Sequence, residues 1–228
     1  MLLSNIVVYK AVFNNFDEVL PIPISGVRKV LFSNRPLEVD GWDNVVLHCE
    51  DAIMENRKLK MFPWKYLDED FSIYLDGRLD ITPKFFEFLL TRNLRDKLIV
   101  PIHRNRGDVL DEVIRCINHR RISGQQLRAA FELSNLNAHA VECGLIVRDH
   151  NSLEIKAHAL RWMERFREIG RDQLAFHDSH SSEAFKTFDF DLSNTEFFSL
   201  RNHKFSRLKQ IDSRLRLALR LIFKGKVI

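Results

Sequence analysis

The chain has 228 residues, of which 45% are hydrophobic and 29% charged, with a formal net charge of +4 at pH 7. That length suits one large α/β domain or two small ones and buries a core without disulfide or metal staples, while only 8 Gly and 6 Pro exclude a low-complexity chain. The mild basic excess suits a phosphate-bearing ligand, an anionic membrane surface or nucleic acid, and selects none of them.

The opening stretch, MLLSNIVVYKAVF, lacks a basic leader and a small-residue cleavage site, so it reads as a first strand rather than a signal peptide. No apolar run reaches the roughly 18 residues of a membrane span, so no transmembrane segment is expected. Cys49, Cys116 and Cys143 are widely spaced with no CxxC pair, which reads as buried thiols in a reducing compartment, the cytoplasm. Eighteen Phe are expected to supply much of the core and a stacking wall.

Through the first 150 residues, short Val- and Ile-rich runs alternate with helical patterns, the order of βα units around a mainly parallel sheet. Strands are predicted at 6–13, 27–33, 45–48, 71–75 and 98–102, and helices at 51–67, 83–93, 108–120 and 124–134. Pro83 stands where a helix tolerates a missing N–H, and Thr82 before it is a capping residue. Beyond lie a strand at 143–148, a helix at 158–169 and irregular short strands over 188–200. The tail, 206–226, sets Leu208, Ile211, Leu215, Ala218, Leu219 and Ile222 on one helical face among Arg and Lys. It reads as a terminal helix packed on a 1–205 domain, or as a basic amphipathic helix at 206–228 in peripheral contact with the anionic inner membrane face.

The strand at 71–75 ends in Asp76-Gly77. In open α/β sheets, ligands bind beyond the carboxyl ends of the strands, so Asp76 is placed to hold Mg²⁺ or Mn²⁺ carrying a diphosphate, with Gly77 allowing close backbone approach. Upstream, Arg57 and Lys60 fall at helical spacing and offer cations toward the same crevice.

Several segments in a fixed order carry a resemblance: Tyr9-Lys10-Ala11-Val12-Phe13 with Asp17, Phe32-Ser33-Asn34-Arg35-Pro36, Gly41-Trp42, Asn56-Arg57 with Lys60, Tyr74-Leu75-Asp76-Gly77, and Gly170-Arg171-Asp172-Gln173-Leu174-Ala175-Phe176. Together they resemble the glycosyltransferase-like family, long described as a domain of unknown function, that includes plant mucilage-related pectin galacturonosyltransferases and a turgor-regulation protein. The resemblance implies a single GT-A-like (Rossmann-like) α/β domain binding a nucleotide-diphosphate sugar, expected to be UDP-linked. It implies that Ala11, Val12 and Phe13 line the nucleobase pocket, that Arg35, Arg57 and Lys60 face ribose and phosphates, and that Asp76 holds the metal. The second carboxylate of a DxD motif is replaced by Arg78, which itself could neutralise the leaving diphosphate, or Asp80 could substitute.

Downstream, WMERFREIGRDQLAFHDSH concentrates chemistry-bearing side chains in one helical region. A transfer that deprotonates an acceptor hydroxyl needs a carboxylate base, and Asp172, with Glu164 as the alternative, is the candidate. Arg171 and Gln173 beside it are assigned to substrate. A plain ion pair between Arg171 and Asp172 is the structural alternative. His177, His180 and His203 are candidates to complete a metal shell, with His177 the one chosen. His103, Arg104 and Arg148 follow or lie on strands and are assigned to sugar contact, with Glu142 and His150 bracketing the same region.

The resulting expectation is an enzyme, a glycosyltransferase moving a hexosyl or uronosyl group from a nucleotide sugar to a glycan or lipid-linked acceptor in polysaccharide biosynthesis. Two alternatives stand beside it: a basic module docking on membrane or nucleic acid through 206–226, and a metal-dependent hydrolase using the same carboxylates. The Gly-rich loops and interleaved aromatics of common RNA modules are absent, so nucleic acid is not the expected partner.

Overall fold

A computed structural model of the chain describes residues 5–14, 16–103, 107–133, 135–178 and 185–201. Arg104, His180, His203 and the 206–228 tail lie outside the described residues. Seven strands form one sheet in the order β3-β2-β1-β4-β7-β6-β8. These are β1 (Ile6–Ala11), β2 (Arg28–Ser33), β3 (Asp43–Val46), β4 (Phe71–Leu75), β6 (Leu98–Pro101), β7 (Leu145–Asp149) and β8 (Phe185–Phe188). A second sheet pairs β5 (Leu79–Ile81) with β9 (Phe198–Leu200). The helices are α1 (Ala52–Met61), α2 (Pro83–Leu90), α3 (Val109–Asn118), α4 (Gln125–Phe131), α5 (Leu153–Ile169) and α6 (Asp172–Asp178).

The continuous apolar runs become central strands because both sheet faces are covered; every residue of β1 and β4 is buried. Alternation then divides the core in two. Val7, Tyr9, Phe32, Tyr74 and Ile146 pack with α1, α3, α4, α5 and α6, and Val8, Leu31, Ile73, Leu75 and Val147 pack with α2 and the small sheet. Much of the phenylalanine gathers on that second face, where Phe85, Phe88, Phe188, Phe190, Phe197 and Phe198 meet ring to ring. There they join the α2 face to the 188–198 segment.

The sheet is mostly parallel, with β7 running antiparallel to both β4 and β6. The connection from β6 to β7 explains this: Glu142 N donates to Pro101 O and His103 N to Ala140 O, so the chain returns to the sheet at the end where it left. The carboxyl ends of β1, β2, β4 and β6 therefore share one edge with the start of β7. The expected helix over 51–67 stops at Met61, and Pro63 opens a separate 3-10 turn. The expected helix over 158–169 begins earlier, at Leu153, because the Ser152 side chain caps it by accepting from Ile155 N. It ends at Gly170 in the left-handed region, φ 72°, where glycine carries no Cβ penalty. The single helical region read across 162–180 is thus two helices, α5 and α6.

Candidate functional site

The turn after β4 shows why glycine follows Asp76. A Cβ on Gly77 would sit 2.7 Å from Asp17 Oδ2 and 3.0 Å from Val12 Cγ2, so glycine is required by the chain's own packing rather than by a ligand. Beneath the turn, buried Lys10 donates to Gly77 O (3.1 Å) and to Asp80 Oδ1 (2.6 Å), and Arg201 donates to the same carboxylate and carbonyl. Burial lowers the Lys10 ammonium to about 8 against the opposing pull of Asp80. Asp80 is therefore committed to Lys10 and Arg201, away from Asp76. Arg78, half-buried in this turn, accepts from Arg201 N through its carbonyl.

On the other face, four side chains expected from sequence meet. Lys60, at the end of α1, is 3% exposed and donates to Asp172 Oδ2 at 2.8 Å, with Asp76 Oδ1 at 3.8 Å. Arg57, one turn earlier on α1, brings Nε to 3.7 Å from the same Asp172 oxygen and lies over the Phe166 ring. Asp76 Oδ1 also accepts the Tyr74 hydroxyl at 2.9 Å. Asp172 enters from the first turn of α6, and its backbone carbonyl accepts from Trp162 Nε1 at 2.7 Å. Burial alone would raise the Asp172 carboxyl, but the charges of Lys60 and Arg57 and the Lys60 hydrogen bond hold it well below the usual carboxylate range. Asp172 is thus a stabilised anion with low proton affinity.

Arg148, on β7, stands further along the sheet, opposite Ser72 rather than at the strand ends, and its place is deeper than sugar contact requires. It is 1% exposed, donates from Nη1 to Met61 O at 3.3 Å, and its Nε and Nη2 have no hydrogen-bond partner among the described residues. No carboxylate of the described residues pairs with it. Its neighbour His150 contacts Ser72 Oγ at 2.8 Å, and burial, aided by the Arg148 charge, lowers the imidazole to about 4. The unfolded chain takes up this proton near the ordinary value of 6.5. The histidine's stability contribution is therefore complete above that pH and is lost as pH falls toward 4, by up to ~3 kcal/mol. Urea titrations at neutral and mildly acidic pH are expected to show this slope, and His150→Gln to flatten it.

A second pair occupies the adjacent strand ends. His103 Nε2 lies 2.7 Å from Glu142 Oε1, while His103 Nδ1 and Glu142 Oε2 have no partner among the described residues. The segment is held from behind by α6: Gln173 Nε2 donates to Val141 O at 2.7 Å, and His177 Nε2 accepts from Val141 N at 3.3 Å. Gln173 and His177, read from sequence as substrate and metal contacts, instead grip both polar groups of one backbone residue. Being one helical turn apart, they serve that purpose together.

The remaining expected residues take other positions. Ala11, Val12 and Phe13 are buried at the end of β1, and Asn56 donates to Ala11 O. Arg35 follows β2 at the same sheet edge and is exposed. Glu164 is on the exposed face of α5, and Arg171 stands at the α5–α6 junction, where its charge acts on Asp172 and on the Cys116 thiol. Sequence reasoning missed Tyr74 as a ligand of Asp76 and the pairing of Glu142 with His103. The first had a signal, since residues two apart on a strand share a face.

These residues do not fit a protein-held divalent ion. Such an ion needs converging oxygen donors at about 2.0–2.6 Å. Among the described residues no three His, Cys, Asp or Glu side chains form such a group, and the space between Asp76 and Asp172 is filled by an ammonium. A cleft of about 670 Å³ opens at the opposite sheet end, between Asn5, Asp70, Arg95, Asp149 and Asn151. There Asn5 and Asn151 donate to Asp70, and the backbone of Asp96 and Asn151 to Asp149, so its carboxylates are already in use.

No protein-family model and no curated protein matches the chain. Among solved structures, the apo form of WbbM, a bifunctional glycosyltransferase, is similar with a TM-score of 0.50 at 9% identity. The match covers 81% of this chain and 39% of that one, so the chain spans about two fifths of the neighbour's length. The likeness shows the fold, a mixed α/β domain of the Rossmann-like GT-A kind.

Proposed function

We propose that the chain is a glycosyltransferase that moves a hexosyl or uronosyl group from a nucleotide-diphosphate sugar, UDP-linked, to a hydroxyl of a glycan or lipid-linked acceptor. The observation that carries the reading is the cation surplus at the carboxyl ends of the parallel strands. Lys60 and Arg57 pair with Asp172, the charge of Arg171 acts on it as well, and the second carboxylate, Asp76, stands beside Lys60. A partly desolvated surplus of positive charge is stabilised by an anionic ligand, and a diphosphate supplies several charged acceptor oxygens. Fold likeness to a glycosyltransferase supports the same reading by analogy, as does the motif order resembling the pectin galacturonosyltransferase family.

In this reading the acceptor oxygen bonds to the anomeric carbon as the bond from that carbon to the diphosphate breaks. The electron pair leaves with the diphosphate, whose charge Lys60 and Arg57 meet. The acceptor proton needs a base, and Asp172 is a weak one because two cations stabilise its anion. Glu142, like Asp76, keeps accepting capacity: one oxygen faces His103 and the other, buried, is unpartnered among the described residues. It stands on the strand-end segment beside Gly144, whose carbonyl accepts from Asp76 N. Ala11, Val12 and Phe13 present the backbone and apolar edge suited to a base.

The test is thermal unfolding with UDP, GDP and ADP. UDP at about 100 times its dissociation constant is expected to stabilise the protein by ~2.7 kcal/mol. No shift with any of the three nucleotides would refute the proposal.

A further inference from the structure

Two carboxylates delivered by separate elements, Asp76 from the end of β4 and Asp172 from the start of α6, face a common point, and that point already holds a cation. Lys60 Nζ lies 2.8 Å from one and 3.8 Å from the other. The ammonium arrives on α1 and is sealed at 3% exposure, so the fold fixes it there rather than recruiting it from solution. We propose that Lys60 is a built-in substitute for a divalent ion, so that this site takes a nucleoside diphosphate with no metal. The inference rests on the nucleotide-sugar reading above.

Two observations carry it. The first is occupancy: Asp172 Oδ2 and Asp76 Oδ1 both face Lys60, and Asp76 Oδ1 also accepts the Tyr74 hydroxyl. A divalent ion bridging the two carboxylates through these oxygens would have to displace these partners to reach its coordination distance. The second is charge: Arg57 faces the same Asp172 oxygen, and the charge of Arg171, at the α5–α6 junction, acts on Asp172 as well. Adding a divalent ion would bring two more positive charges against three cations, whereas a diphosphate brings negative charge to all of them. Removing the Lys60 amine empties the point between the two carboxylates and takes one cation from it. It leaves Asp76 without its counter-charge and Asp172 with Arg57 alone within ion-pair distance, and the two carboxylates are then the hard oxygen donors that Mn²⁺ or Mg²⁺ takes.

Calorimetric titration of UDP into the full chain, once in EDTA and once in Mn²⁺, tests this on the wild type, with Lys60→Ala and Lys60→Met alongside. Wild-type affinity is expected to be the same in both buffers, and Lys60→Ala to bind about tenfold weaker or worse in EDTA with recovery in Mn²⁺. The Mn²⁺ electron paramagnetic resonance signal, without nucleotide, is expected to be attenuated by Lys60→Ala and not by wild type. A wild-type affinity that rises about tenfold or more with Mn²⁺ overturns the inference and leaves the nucleotide reading standing. A wild type that binds no UDP, GDP or ADP in either buffer overturns both. If the Lys60 variants do not fold, the wild-type comparison decides alone.

Discussion

Asp172→Ala is expected to destabilise the protein by ~3–5 kcal/mol, because breaking a buried ion pair leaves an uncompensated charge behind. The charge left is Lys60, 3% exposed, with Asp76 at 3.8 Å as its remaining anion. Arg57 loses the same partner. Chemical denaturation measures the loss, and the Lys60→Met, Asp172→Ala pair is expected to recover part of it, as residues in one network are not additive. A pH signature accompanies this. The Asp172 carboxyl is held below the usual range in the fold, so its contribution is full above the ordinary carboxylate pKa of about 4 and is lost only as pH falls through the lower folded value. A single variant costing under about 1 kcal/mol would show that the pair is solvated and that its role in holding α6 is minor.

Glu142→Gln is expected to lower transfer by about 10²–10⁴-fold while leaving UDP affinity and unfolding midpoint close to wild type. The amide keeps an oxygen for His103 to donate to, so the 2.7 Å contact survives, but it cannot take the acceptor proton. His103→Ala is expected to act differently. It removes the group that orients Glu142 and so reduces turnover less than loss of the base itself. Steady-state rates with a nucleotide-sugar panel, read as UDP release, separate these outcomes. Unchanged turnover in Glu142→Gln would move the base to another residue.

Much of the sheet was legible because periodicity is local. The 71–75 strand appears at its predicted bounds, and the runs at 6–13, 27–33 and 98–102 appear one to two residues shorter. The sequence hid β5, since three residues carry no readable pattern and its partner β9 is more than a hundred positions away. It also hid the antiparallel course of β7, which follows from where the 140–142 segment docks on β6 rather than from any residue within the strand. The break at Gly170 was readable in principle, because a glycine after a long amphipathic run is a common helix stop.

The site divides in the same way. Asp76, Arg57 and Lys60 could be singled out from a strand-end carboxylate and a helical spacing, both set by residues close in the chain. Which acid each cation meets could not, because charge interactions depend on distance in space, and Lys60 and Asp172 are 112 residues apart. Packing of α6 against α5 and the sheet edge brought them together. That packing made Asp172 the partner of a lysine and gave Gln173 and His177 to the backbone of Val141. Local hydrophobic order thus determined where the sheet ends and which side chains gather near that end, while only the folded arrangement of distant segments decided their charges, partners and chemistry.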